Sequence, residues 1–201
     1  MREIFILDYG VGNLLSLKFA FEKTGLKVKI VTPTQKLANA DAIALPGVGN
    51  FSAAAKALNP VKDELVNIVD SGKPILGICL GLQLFFESSE EGPGQGLAFF
   101  KGKDIRLTGP VKIPHMGWNT IQKVNQNELF EDVDDGAYVY FVHSLYPVPV
   151  DKEIICTQTE YSQVFTSAIA NKNIYGTQFH PEKSGDIGLK ILKNFARTVA
   201  R

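Results

Sequence analysis

Two cysteines and three histidines are the residues in this 201-residue sequence best suited to covalent or proton-transfer chemistry. Cys79 stands in "PILGICLGLQLFF", with Gly77 and Gly81 two residues to either side and a helix-like pattern after it. Strand, Gly-x-Cys-x-Gly, helix is the pattern of a nucleophile elbow. The flanking glycines avoid clashes that larger side chains would make on so sharp a turn. Such a turn presents the thiol at the carboxyl end of the strand, where open α/β sheets bind ligands. It also sets the sulfur at a helix N-terminus, where unpaired N–H groups and the helix dipole favour thiolate. Thiolate is the attacking species in acyl transfer. The alternative is a small cysteine packed as a hydrophobe. Cys156, in "EIICTQT" with no glycine neighbours, fits that role.

A cysteine nucleophile needs a base. His180 lies in "QFHPEKS" at the end of an apolar strand. Pro181 biases it toward extended backbone, in which residues i and i+2 face the same way. Glu182 then faces with His180, orienting the ring and stabilising the imidazolium. Cys79, His180 and Glu182 form a candidate triad. His143 lacks an adjacent carboxylate and is not read as the base. An oxyanion hole completes the requirement. The N–H of Leu80, just after the nucleophile, supplies one donor. The glycines of "LPGVGNF" free the N–H of Val48 or Gly49 to supply the other. Each motif alone is weak, and "HPE" by itself fits a solvated strand-end turn.

These residues must be carried by strands separated by helices. "EIFILDY", "KVKIV", "AIALPGVG" and "PILGI" read as buried strands, with helices from about Asn13 to Thr24, over "FSAAAKAL" and over "VKDELVNIV" between them. That alternation implies parallel pairing with right-handed crossovers. From "KDIRLTG" through "WNTIQKV", "AYVYFVHS", "EIICTQTEY", "VFTSAIAN" and "IYGTQFHPE" the strands are short and suggest antiparallel additions. A last helix, "GDIGLKILKNFARTVA", aligns Ile187, Ile191, Phe195 and Val199. The fold class is α/β: a flavodoxin-like open sheet, its parallel core extended by antiparallel strands, with helices on both faces. One domain over residues 1–201 is expected.

Composition narrows the function. Lysine plus arginine, 21, equals aspartate plus glutamate, 21, and no basic block stands out, which argues against nucleic acid and anionic membrane as partners. No apolar run is long enough to span a bilayer and the N-terminus has no signal-peptide pattern, so a cytoplasmic protein is expected. A lone disulfide between Cys79 and Cys156 is not expected in that compartment. No metal site and no cofactor is expected.

The motifs together resemble the class I, triad-type glutamine amidotransferases: "GICLGLQ" their cysteine motif, "PGVG" their oxyanion strand, "QFHPEKS" their histidine–glutamate motif. The resemblance spans nearly the whole chain, in order. "DYGVGN", "PGVGNF", "PHMGWN" and "YFVHS" are similar to the glutaminase subunits of imidazole glycerol phosphate synthase. The resemblance implies that Cys79 attacks the side-chain amide of glutamine and that a glutamyl thioester is hydrolysed to glutamate. It implies a substrate pocket with Gly47, Gln83, Glu91, His143 and Ser144. It also implies ammonia transfer to a (β/α)8-barrel cyclase subunit, which makes imidazole glycerol phosphate in histidine biosynthesis, with Asn13, Trp118, Tyr140 and Lys183 at or near the subunit contact. From the sequence alone Gln83 fits a solvent-facing helix position, Glu91 a solvated acidic loop, Trp118 the core and Lys183 the bare surface equally well. One departure stands out: Leu145 follows "YFVHS" where the family has an aromatic. Rival readings are a glutaminase serving anthranilate or guanylate synthesis, a cysteine hydrolase of related fold, and a silent binding module.

Overall fold

The computed structural model describes residues 2–200. In chain order the elements are β1 (Glu3–Leu7), α1 (Leu14–Glu22), β2 (Lys27–Val31), β3 (Ala42–Leu45), α2 (Phe51–Leu58), α3 (Lys62–Asp70), β4 (Ile75–Ile78), α4 (Leu80–Gln83), β5 (Ser88–Ser89), β6 (Gly102–Arg106), β7 (His115–Thr120), β8 (Gln122–Lys123), β9 (Tyr138–His143), β10 (Leu145–Pro149), β11 (Ile155–Tyr161), β12 (Gln163–Asn171), β13 (Ile174–Thr177) and α5 (Gly185–Val199). An eight-stranded sheet has the order β2-β1-β3-β4-β13-β12-β11-β8. Its β2, β1, β3, β4 and β13 are parallel, while β12, β11 and β8 continue it antiparallel.

Strand alternation divides the core between the two faces. Ile4 and Ile6 of β1 join Leu17 and Phe21 of α1 and Ile191 and Phe195 of α5 in one cluster. Phe5 and Leu7 join Phe51 and Leu58 of α2 and Leu65 and Ile68 of α3 in the other. Strands buried on both faces read as continuous apolar runs, which is why the first half is legible from sequence. Asn13 caps α1 through its side-chain oxygen, which accepts from the Ser16 N–H.

The second half differs from expectation in three respects. The sequence pattern groups "IYGT" with the antiparallel additions, but β13 pairs parallel with β4. It forms the last parallel strand, so its carboxyl end lies beside that of β4. The segments "KDIRL" and "YVYFVH" do not extend the main sheet. They build a β10-β6-β5 sheet and a β7-β9 ribbon. Strand β10, "LYPVP", is not evident in the sequence because prolines argue against a strand; here it is an edge, where missing N–H groups are tolerated. No helix among the described residues is long and apolar enough to cross a membrane.

Candidate active site

The carboxyl ends of four parallel strands meet: Tyr9 follows β1, Pro46 to Gly49 follow β3, Cys79 follows β4, and Gln178 to Glu182 follow β13. Cys79 sits at φ 53°, ψ −105°, a conformation strained for a residue with a side chain. The glycines are required by contact. A Cβ on Gly81 would lie 1.8 Å from the Leu45 carbonyl oxygen, and one on Gly77 would lie 2.6 Å from the Gly81 oxygen. The helix that follows is a single turn, Leu80–Gln83, not the longer helix that the apolar pattern suggests. Phe85 and Phe86 leave the helix to pack on Phe99 and Phe100. One turn carries little dipole, so the helix-terminus argument for thiolate weakens.

His180 and Glu182 form a buried pair just beyond β13. Nδ1 of His180 is 2.8 Å from Oε1 of Glu182, both side chains being at most 5% exposed. The route to this pairing differs from the expected i, i+2 alternation. His180 is extended, but Pro181–Lys183 form a 3-10 turn that folds Glu182 back under the ring. The turn is pinned to β9: the His180 N–H donates to the Tyr140 carbonyl at 2.8 Å, and the Ser184 hydroxyl donates to the His180 carbonyl at 2.6 Å. Burial alone would push the His180 pKa down, but the negative sulfur of Cys79 and the Glu182 carboxylate override it and raise it to about 10. Nε2 is buried without a hydrogen-bond partner, as is Oε2 of Glu182.

The oxyanion segment is closed on itself. The Leu80 N–H, one intended donor, gives its hydrogen bond to the Gly47 carbonyl at 3.3 Å. Gly49 has φ +134°, and the N–H groups of Val48 and Gly49 have no acceptor among the described residues. Rotation of the Gly47–Val48 peptide would withdraw the carbonyl and turn an N–H toward the sulfur. Gly47 is pressed between Leu80 and the Tyr9 ring, with an added Cβ 2.8 Å from Leu80 Cβ and 3.0 Å from the Tyr9 hydroxyl.

Val48, Gly49, Cys79, Leu80, Gln83, Glu91, His143, Ser144 and Leu145 line one cavity of about 210 Å³. Gln83 is a buried residue rather than a solvent-facing one: its Nε2 donates to the Leu145 carbonyl at 2.9 Å and to Gln178 Oε1 at 3.1 Å. Glu91 is no free acidic loop, since Oε2 accepts from the Phe51 N–H at the start of α2. His143 Nδ1 lies 2.8 Å from the Leu145 carbonyl, and so carries its proton there. Its Nε2 therefore accepts from His115 Nδ1 at 3.0 Å. Burial lowers the pKa of His115 to about 4 and of His143 to about 3, which makes both rings weak proton acceptors. Cys156 is buried and free, its pKa pushed up to about 12 by burial. A larger open groove of about 720 Å³ beside Lys123, Glu128 and Asp135 has no cysteine, serine or histidine in its lining.

Trp118, Tyr140 and Lys183 meet on the surface beside this site. Trp118 is 55% exposed, which excludes the core, and packs edge-on against Tyr140 at 6.0 Å. Lys183 Nζ lies 5.8 Å from the Tyr140 ring centre. Met116 and Tyr138 on the same ribbon are also exposed, as are Leu15 and Phe19 of α1. Asn13 lies at the α1 N-terminus as a cap. Motif spacing does not single out Gln178, fully buried, whose Nε2 is 3.4 Å from Cys79 Sγ. A usable signal is nevertheless present: Gln178 stands just past the end of the strand that leads to His180, although the chain bends at Gln178 and Phe179.

Comparison with known proteins places this geometry in a family. The model for "Glutamine amidotransferase class-I" matches residues 5–199. The chain is 48% identical over 199 residues to the "Imidazole glycerol phosphate synthase subunit HisH" of Pyrococcus furiosus, covering 98% of this chain and 100% of that one. It is 48% identical over 193 residues to the protein of the same name from Methanocaldococcus jannaschii, covering 96% and 97%. Among solved structures, PurLQS from Thermotoga maritima superposes with a TM-score of 0.78 at 20% identity, covering 98% of this chain and 98% of that one. The last likeness speaks to the fold alone.

Proposed function

The chain belongs to the class-I glutamine amidotransferase family, as a member of its imidazole glycerol phosphate synthase subunit HisH group, and from this premise we propose how it works. It hydrolyses glutamine. The Cys79 thiolate attacks the side-chain amide carbon while the imidazolium of His180, oriented by Glu182, holds the proton. The tetrahedral oxyanion is met by the N–H of Leu80 and that of Val48 or Gly49 once the Gly47 carbonyl has swung away. Collapse breaks the C–N bond, and His180 donates its proton to the departing ammonia. A water then gives a proton to His180 and attacks the glutamyl thioester, releasing glutamate and restoring the thiolate. Gln83, Glu91, His143, Ser144 and Gly47 shape the pocket for the amino-acid end of the substrate. The observation that carries this reading is Cys79, held at positive φ in the cavity wall, with its sulfur next to His180 of the buried His180–Glu182 pair.

The ammonia is consumed by a second protein, the (β/α)8-barrel cyclase. Free ammonia in water is protonated and loses its nucleophilicity, so a protected route between the two sites is required. The cluster of Trp118, Tyr140 and Lys183, one strand from His180, supports a docking face there, and α1, which Asn13 caps, packs against the turn that carries Lys183. Neither reading requires a cofactor or a metal. The test is co-purification with the cyclase barrel, followed by a glutamine-dependent assay of imidazole glycerol phosphate formation. Complex formation with glutamine-dependent product is expected. A barrel that uses only added ammonia salts in the presence of this chain would overturn the proposal.

A further inference from the structure

Gln178 lies at 0% exposure at the exit of β13, its Nε2 3.4 Å from the Cys79 sulfur. Which end of an amide faces a neighbour is decided by the network, and here the network decides it. The Leu145 carbonyl can only accept, so the Gln83 atom beside it, 2.9 Å away, is Nε2. That same Nε2 is 3.1 Å from the side chain of Gln178, which must therefore present its oxygen. The other end of Gln178, an N–H donor, is left pointing at sulfur. The second contact of the sulfur, 3.6 Å to the Val142 carbonyl, serves only the protonated thiol. When the proton moves to His180 Nε2, the Val142 contact ceases to be a hydrogen bond and the Gln178 contact becomes charge-assisted.

From this geometry we propose that Gln178 is a further catalytic residue, the amide donor that holds the Cys79 thiolate before attack and couples it through Gln83 to the substrate pocket. The inference rests on the reading of Cys79 as the nucleophile. Gln178 transfers no proton; it stabilises the charged sulfur and fixes its direction. It takes over the work that a one-turn helix cannot do. Because Gln178 Oε1 is held by Gln83, and Gln83 by the Leu145 backbone, the donor is preorganised and needs no movement on reaction.

The test is the pH dependence of Cys79 alkylation by iodoacetamide, read by peptide mass spectrometry in the full chain with Cys156→Ala as background. Alkylation forms a carbon–sulfur bond, releases iodide and needs no oxyanion hole, so it reports on the sulfur independently of glutamine turnover. Of the titratable groups around this sulfur, His180 beyond β13 and Tyr9 beyond β1 interact with it, Glu182 holds His180, and His143 and Glu91 share its cavity; all remain unchanged. Gln178→Met keeps volume and removes the donor. Its alkylation rate at neutral pH should fall about tenfold or more, with the loss recovered in alkali where every thiol is ionised. Gln178→Glu still offers an oxygen to Gln83 but turns an anion toward sulfur, and should fall further. In glutamine hydrolysis both should lower kcat with KM changed less than about threefold. An alkylation profile matching the parent in either folded variant would overturn the proposal, whatever kcat does. Failure of the parent chain to hydrolyse glutamine in complex with the cyclase barrel would instead overturn the function proposed above and leave this result standing.

Discussion

Replacing Glu182 by Gln is the sharpest single perturbation of the proposed triad. The wild-type pair is 2.8 Å apart and almost wholly buried, so solvent screens little of the charge. Two losses combine. A hydrogen bond to a charged partner contributes about 1.5–3 kcal/mol, and its removal alone lowers the rate roughly tenfold to a hundredfold. The glutamine amide also has an N–H able to donate to Nδ1, which would place the ring proton on Nε2. That tautomer cannot take a proton from Cys79, and loss of the orienting carboxylate in comparable triads costs up to about 10⁴ in kcat. The expected result is a kcat for glutamine hydrolysis lower by about 10² to 10⁴, with KM within about threefold, measured by coupled glutamate detection in the two-subunit complex. The cause also predicts a pH signature. The raised pKa of His180 falls when Glu182 loses its charge, so the variant keeps residual activity to a lower alkaline limit than the wild type. A kcat within about threefold of wild type would refute the assignment of Glu182 as the orienting group.

Further outcomes follow from particular contacts. Gly81→Ala forces a Cβ to within 1.8 Å of the Leu45 oxygen and should cost at least about 3 kcal/mol in urea unfolding; an unchanged midpoint contradicts the elbow packing. The isolated chain should turn over glutamine on the order of 10² times more slowly than the complex, because the Leu80 N–H is engaged by Gly47; equal rates would show that the hole is already open. Asp104 is buried with neither oxygen hydrogen-bonded, and burial first, then Glu91, raises its pKa well above 3.8. A folded-state pKa above the unfolded value means that wild-type stability falls as pH rises from about 3.8 toward the folded pKa. Asp104→Asn should therefore unfold at higher urea than wild type at pH 8 and lose that advantage at pH 4. A wild type that is the more stable at pH 8 would contradict this.

The residues of the candidate site are more legible in the sequence than the scaffold around them. A strand buried on both faces, a glycine-flanked cysteine and a histidine–proline–glutamate string each leave a pattern set by local sterics, and those patterns place the first four strands, α1 to α3 and the cavity wall. The partnership of β13 with β4 leaves none, because parallel or antiparallel pairing depends on where a distant chain segment lies. The length of α4 is concealed because Leu82, Phe85 and Phe86 keep an apolar pattern whether or not the helix continues. Strand alternation selects Glu182 by a mechanism that the 3-10 turn does not use. Gln178 escapes notice because an amide has no spacing signature of its own; only its hydrogen bonds disclose what it does.

The central claim is that Cys79 becomes acylated by glutamine. Mixing the complex with glutamine, quenching in acid within a turnover and mapping the peptides by mass tests it directly. The account predicts a glutamyl adduct on Cys79 that accumulates transiently and is missing from Cys79→Ala, which should hydrolyse no glutamine. Turnover that survives in Cys79→Ala, or an adduct found on another residue, would contradict it.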